Sequence, residues 1–253
     1  MNRIHLIYFS PTHTSAQIAY EIAAGTGIKD QEDWDITHDC PAACVEIVGG
    51  LAVVAVPVYG GRVAETAVER LRSFRGQNTP VIPVVVYGNR DYEDALRELT
   101  DLLIKSGFRP VAAGAFIGEH SYSRPGMPVA EGRPDGEDLA IARDFGRRAL
   151  LQAEMQKEIC VKGNFPYKVK GPSTPQAPVT DEILCTQCEY CMDICPVKAI
   201  SIVNGEMFSN PQVCIKCCVC VKECPEGART FDTPYTAMLH QNFSRRREPE
   251  LFE

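Results

Sequence analysis

The chain has 253 residues, 45% of them hydrophobic, and a formal net charge of -7, enough for one ordinary domain plus a small one. The acidic balance excludes the basic footprint of a nucleic-acid binder, and the longest apolar run, residues 51–58, falls short of the ~20 residues that a membrane span needs. Twelve cysteines, with no signal-peptide pattern ahead of them, point to metal or redox chemistry in the cytoplasm rather than to disulfides.

Residues 3–9 (R-I-H-L-I-Y-F) form a β-branched and aromatic run of strand length, followed by a tight, hydroxyl-rich turn over residues 10–15. A helix is predicted from Thr14 to Ala24, ending at Gly25, and residues 34–37 read as a short edge strand. Residues 52–57 are continuously apolar, as in a parallel sheet covered on both faces. Tyr59, Gly60, Gly61 and Arg62 form the loop after them, and 63–74 the crossover helix. Residues 81–87 are a further buried strand with Gly88, Asn89 and Arg90 as its loop, and Asp91 is predicted to cap a helix reaching Lys105. Residues 111–117 read as a fifth strand and 138–157 as a helix. Alternating strands and helices of this length imply an α/β doubly wound parallel sheet of five strands. Its ligand crevice lies beyond the carboxyl ends of the strands, where residues 10–15, 58–62, 88–92 and 119–123 converge. The hydroxyls and helix N-terminus of the first loop suit a phosphate, and Tyr59 and Tyr92 suit a flat, partly apolar ligand.

Residues 163–178 are proline-rich and read as an extended, semi-rigid linker. Beyond it the chain repeats itself. Cys185, Cys188, Cys191, Cys195 and Pro196 superpose on Cys214, Cys217, Cys220, Cys224 and Pro225 at a constant offset of 29 residues, and Ala199, Ile200 and Ile202 fall on Ala228, Arg229 and Phe231. Isolated C-x2-C pairs would suit structural zinc. Two complete C-x2-C-x2-C-x3-C-P runs point instead to iron–sulfur ligation.

Each run resembles those of bacterial two-cluster ferredoxins, a small α+β fold. The resemblance implies two [4Fe–4S] clusters in crossed ligation, Cys185, Cys188, Cys191 and Cys224 holding one, and Cys214, Cys217, Cys220 and Cys195 the other. Cys218 aligns with Glu189, a non-ligand position, and reads as a spare thiol. Upstream, Ser10-x-Thr12-His13-x-Ser15 resembles the flavodoxin phosphate loop, which implies FMN. Ser10, Thr12, Thr14 and Ser15 would hold its phosphate, with His13 standing where the family has Gly. Val58, Tyr59, Gly60 and Gly61 would flank one side of the isoalloxazine, and Gly88, Asn89, Arg90, Asp91 and Tyr92 the other. The whole is similar to flavodoxin–ferredoxin fusion proteins. Its expected division is a flavodoxin-like FMN domain (1–160), a linker (161–180), a two-cluster ferredoxin domain (181–231) and a solvated C-terminal tail (232–253).

Cys40 and Cys44 are expected as buried structural thiols, Cys160 at the surface or in packing, His120 as a capped loop residue or a donor to the ligand, and Arg245 to Arg247 in the solvated tail. The reading is an electron-transfer flavoprotein of the cytoplasm, with a redox protein as donor or acceptor and no nucleic-acid or membrane partner, compatible with a homodimer. Two alternatives stay open: a flavin-dependent reductase of a quinone, nitro compound or disulfide, and a flavin-free docking module.

Overall fold

A computed structural model describes residues 1–155, 159–171 and 174–253. In chain order the first part contains β1 (Arg3–Tyr8), α1 (Thr14–Thr26), β2 (Asp30–Asp35), β3 (Val45–Ile47), β4 (Leu51–Tyr59), β5 (Arg62–Val63), α2 (Glu65–Leu71), β6 (Phe74–Gly76), β7 (Thr79–Tyr87), α3 (Ala95–Lys105), β8 (Phe108–Pro110), β9 (Ala113–Ile117) and α4 (Gly136–Met155). The second part adds β10 (Val179–Thr180), α5 (Tyr190–Asp193), β11 (Ile200–Val203), β12 (Glu206–Ser209), α6 (Val219–Lys222), β13 (Arg229–Thr230), α7 (Pro234–Phe243) and β14 (Glu250–Phe252).

The main sheet runs β2-β1-β4-β7-β9, all parallel. This is the flavodoxin-like strand order expected. β4 and β7 are buried almost throughout, because α1 and α4 cover one face and α2 and α3 the other. The charged strand β2 (D-Q-E-D-W-D) closes one edge, where acidic side chains discourage further pairing.

Several boundaries move for physical reasons. α1 continues through Gly25 and stops at Gly27, which takes a left-handed φ of 72°. Gly25 is a contact rather than a terminator: a Cβ there would overlap the Arg143 carbonyl of α4, and one on Gly146 of α4 would overlap the Ile22 carbonyl of α1. The two glycines let the helix backbones touch. The crossover helix is shorter than expected because Gly60 and Gly61, with φ of 65° and 77°, fold Arg62–Val63 back onto Val58 and Tyr59 as a hairpin. Asp91 does not cap α3; its carboxylate takes the Glu93 N–H at 2.8 Å, and the helix starts at Ala95. The predicted end of α4 at residues 156–157 lies outside the described residues.

The linker is anchored rather than free. The Asp94 carboxylate accepts the backbone N–H of Asn164 (2.8 Å) and Lys168 (2.6 Å) and the Asn164 amide (3.0 Å). Arg62 stacks on the Tyr167 ring with its guanidinium carbon 4.7 Å from the centroid and donates to the Lys168 carbonyl at 2.9 Å. The expected solvated tail is also corrected. Arg245, Arg246 and Arg247 are exposed, but the chain then returns as β14, antiparallel to β9 with Leu251 opposite Gly114. A three-residue E-L-F strand is too short to show a period, and its partner edge of small residues leaves room for it. Among the described residues no helix is long and apolar enough to cross a membrane.

Gly146→Ala is expected to lower unfolding stability by about 1–3 kcal/mol through overpacking, outweighing the ~1 kcal/mol of helix propensity that Ala adds. Denaturant titration measures it, and a neutral or stabilising result would show that α1 and α4 part freely.

Candidate functional site

The turn after β1 is built for a constrained backbone. His13 sits at φ 63°, ψ -10°, a left-handed conformation that costs a side chain free energy and that Gly would adopt freely. The position where the resembling family has Gly therefore keeps glycine's geometry with a histidine in it. Ser10 is held from both sides: its N–H donates to Thr37 Oγ1 (2.9 Å) and its Oγ accepts the Ala16 N–H (3.0 Å). Ser15 is 1% exposed and its hydroxyl has no partner, an orphan that a bound anion would satisfy. Thr12 and Thr14 are half-buried beside it. The loop thus fits a phosphate.

Of the two flanks expected around a flat ring, the one at residues 88–92 is engaged by the chain itself, while at 58–61 Val58 and Tyr59 are half-buried and Gly60 is exposed. Asn89 donates its amide to the carbonyls of Phe243 (2.6 Å) and Arg245 (2.8 Å). Tyr92 is buried and donates to Glu250 at 2.7 Å, and Arg90 pairs with Glu93 at 2.8 Å. A Cβ on Gly88 would overlap the His120 ring, and one on Gly61 the Glu93 carboxylate. On the other side Tyr59 is half-buried, and desolvation pushes its hydroxyl pKa well up, reinforced by Cys217, Cys218 and Tyr122. Tyr122 packs on His120 (5.0 Å between centroids) and on Phe231 (5.1 Å). His120 is a capped loop residue: Tyr122 N–H donates to its Nδ1 at 3.0 Å.

The cysteine ladder folds as two copies of one motif. Left-handed residues recur at the 29-residue offset: Gln187 and Lys216 (φ 54° and 58°), Glu189 and Cys218 (61° and 60°), Lys198 and Gly227 (51° and 61°). The halves exchange matching bonds, Asp181 N–H to the Ala228 carbonyl (2.8 Å) and Asn210 N–H to the Ala199 carbonyl (2.7 Å). This pseudo-symmetry brings Cys224 to Cys185, Cys188 and Cys191 around one cavity. Burial raises the Cys217 thiol pKa, reinforced by Cys220, Cys195 and Cys214. Among the described residues no three His, Cys, Asp or Glu are gathered tightly enough for one metal ion. Backbone N–H groups of Ala199 and Lys216 point at the sulfurs of Cys195 (3.2 Å) and Cys214 (3.4 Å), the kind of bond that tunes a cluster.

Sequence reasoning missed Arg229, although the repeat exposes it as a cation where the first half has Ile200. It is 3% exposed, lines the cavity of Cys185, Cys188, Cys191 and Cys224, and donates to Thr180 Oγ1 (2.9 Å), Ser209 Oγ (2.5 Å) and Cys220 Sγ (3.6 Å). Burial still pushes Cys220 up to about 11, with Arg229 opposing it; the same guanidinium opposes the upward shifts of Cys191 and Cys214. One cation thus serves both thiol groups. Cys218 is buried and turned to the Lys216 carbonyl (3.6 Å). Cys40 and Cys44 are exposed, correcting their expected burial, and Cys160 is exposed.

The modules meet through Arg70, which donates to the Pro196 carbonyl at 2.7 Å and to the Ile36 carbonyl at 2.9 Å, and through Lys222 with Glu119 at 2.7 Å.

The family described as "4Fe-4S dicluster domain" matches residues 177–225. A ferredoxin of Rickettsia felis is 40% identical over 58 residues, 22% of this chain and 51% of that protein. Formate hydrogenlyase subunit 2 of Escherichia coli K12 is 42% identical over 50 residues, 19% of this chain and 25% of its own. The chain spans about half the length or less of the curated relatives it matches first. Among solved structures, a flavodoxin of Streptococcus pneumoniae aligns at TM-score 0.41 and 12% identity over 61% of this chain and 99% of its own, and an NADH:FMN oxidoreductase (EmoB) in its apo form at 0.44 and 16% over 60% and 89%. With its own strand order, the chain joins a flavodoxin-like α/β module to a 4Fe-4S dicluster-type module, and the chemistry of that pairing is electron transfer.

Arg229→Met is expected to shift reduction of the iron–sulfur centres to more negative potential, because a buried positive charge favours the reduced form; Arg229→Lys should retain part of the shift. Anaerobic redox titration decides, and an unchanged potential would mean that the guanidinium is structural only. His120 is expected to make stability pH-dependent. Burial, with Lys222 and Arg90 nearby, lowers its pKa from 6.5 to about 4, so between those values the unfolded chain binds a proton that the folded chain refuses. Stability should fall as pH drops through that window, at up to about 1.4 kcal/mol per pH unit. His120→Gln should flatten the slope in urea unfolding.

Proposed function

We propose that the chain is an electron-transfer iron–sulfur flavoprotein, in which two [4Fe–4S] clusters exchange single electrons with FMN and with a redox protein that serves as donor or acceptor. Residues 181–231 form the cluster module and residues 1–160 the flavin module, joined by 161–180. The observation that carries the reading is the pairing of each run's last cysteine with the other run's first three. It supports one cluster on Cys185, Cys188, Cys191 and Cys224, and the other on Cys214, Cys217, Cys220 and Cys195. Soft thiolates suit iron–sulfur centres, and Arg229 with the N–H groups of Ala199 and Lys216 offsets their negative charge.

Ser10, Thr12, Thr14 and Ser15 would hold the FMN phosphate, with His13 keeping the turn in its left-handed geometry. Bound FMN supplies a centre that takes one or two electrons, beside clusters that each take one. The relative named as a subunit of formate hydrogenlyase supports a protein as the redox partner. Twelve free thiols suit a reducing compartment such as the cytoplasm.

The cluster module depends on its metal. Beside the cysteines its buried apolar side chains are Ala199, Ile200, Met207, Val219, Ala228 and Phe231, too little to stabilise some fifty residues, so removal of iron should unfold it while the α/β module stays folded. Anaerobically purified protein should carry about eight iron and eight sulfide per chain, together with one FMN. The wiring is tested by the double variant Cys195→Ala/Cys214→Ala. Crossed ligation removes one cluster and leaves about four iron; loss of both clusters would show that each run holds its own. Cys218→Ser should leave the iron content unchanged.

A further inference from the structure

The internal repeat provides a controlled comparison, because two copies of one motif sit in different surroundings. At matched positions, Cys188 is exposed while Cys217 is 7% exposed, Glu189 is exposed while Cys218 is 2%, and Tyr190 is 43% exposed while Val219 is 3%. The prolines that follow the last cysteines run the other way, Pro196 buried and Pro225 exposed. Sorted by run, this asymmetry is mixed. Sorted by crossed ligation it is consistent: the buried positions go with Cys195, Cys214, Cys217 and Cys220, and the exposed ones with Cys185, Cys188, Cys191 and Cys224.

The cover on the buried side comes from the α/β module. Ile215, beside Cys214, packs on the core cluster that Val58 and Tyr59 also join. Lys222 pairs with Glu119 at 2.7 Å, and Arg70 donates to the Pro196 carbonyl, next to Cys195, at 2.7 Å. Tyr59 has Cys217, Cys218, Cys214 and Tyr122 as electrostatic neighbours, and Tyr122 packs on Phe231 just past the second run. Beside Tyr59, Gly60 is exposed with open space around it. At the ends of β1 and β2 the modules part around a cavity of about 330 Å³, where Tyr190, Ile194, Val219 and Glu223 face Tyr8 and Asp35.

We propose that Cys195, Cys214, Cys217 and Cys220 form an inner set that faces the flavin flank at residues 58–61, and that Cys185, Cys188, Cys191 and Cys224 form an outer set that meets the redox protein; the inference rests on the iron–sulfur flavoprotein reading above. An electron lost by a protein donor enters at the outer set, leaves by the inner set and is gained by the flavin, with no covalent bond made or broken. One delivered to a protein acceptor takes the reverse path. The cavity of the outer thiols is lined by Glu189 and Glu226, so a partner with basic side chains around its own redox centre fits it.

The test uses anaerobically purified protein carrying iron, sulfide and FMN, with the exposed Cys40, Cys44 and Cys160 blocked beforehand by N-ethylmaleimide. Ferricyanide with EDTA then dismantles the clusters, and iodoacetamide labelling with peptide mapping reads which thiols are released. Cys185, Cys188, Cys191 and Cys224 should label by the time about half of the iron is gone, with the inner four protected and FMN retained. Release of the inner four first, or of all eight together, would overturn the order while leaving the flavoprotein reading intact. Release in two groups that follow the runs would overturn the crossed wiring and this inference with it; clusters without any FMN would overturn both the flavin reading and the inference. A second measurement titrates the two cluster reduction waves with FMN bound and after its removal. The wave that survives loss of the first half of the iron should shift more than the other, because the inner set lies nearer the flavin's charge. An equal shift, a larger shift of the outer wave or no shift would overturn the placement.

Discussion

The second module turns on one buried cation. Arg229 is held between two groups of thiols whose pKa burial raises and its charge opposes, and taking a charge out of water is costly unless partners surround it. Thr180 and Ser209 supply neutral hydroxyls and Cys220 a sulfur, so among these bonded partners only the sulfur can carry a compensating negative charge. A module whose buried apolar side chains are few and mostly small is thus organised by electrostatics around its cysteines. The chain departs from its own internal symmetry at this point, where a cation replaces Ile200.

The contact between the modules obeys a similar logic. Arg70 bridges the end of β2 and the loop of the Cys195-Pro196 turn, and Lys222 reaches Glu119 across the same junction. These are directional polar contacts around a cavity rather than a continuous apolar seal. The junction fixes orientation while leaving a space between the walls. Tyr59 and Tyr122 fill the junction elsewhere with aromatic bulk.

What was legible in the sequence was what acts locally. The continuous apolar runs of β4 and β7 announce a doubly covered parallel sheet, and the cysteine spacing with its constant offset announces the repeat, which reappears in the backbone as matched left-handed residues. What was not legible depends on distant partners. Gly25 reads as a helix end until Arg143 is placed against it. Asp91 reads as the cap of α3, yet it is Asp94 that stands before the helix, with its carboxylate taken by Asn164 and Lys168, some seventy residues away. The ring flanks follow from loop composition and the flavodoxin resemblance, and nothing local reveals that the Asn89 amide is engaged by the carbonyls of Phe243 and Arg245. Cys40 and Cys44 have no local signal that separates a buried thiol from an exposed one.

The strand β14 changes the mechanical character of the whole chain. Because residues after the cluster module return to pair with β9, that module leaves the sheet along the anchored linker and its chain comes back to the same sheet, pinned at both ends like a span between two piers. A module hung from one tether samples a sphere; one pinned twice can only rock. Its effective concentration at the flavodoxin-like surface is accordingly high and nearly independent of dilution. The cluster module is, topologically, an insertion rather than an appendage.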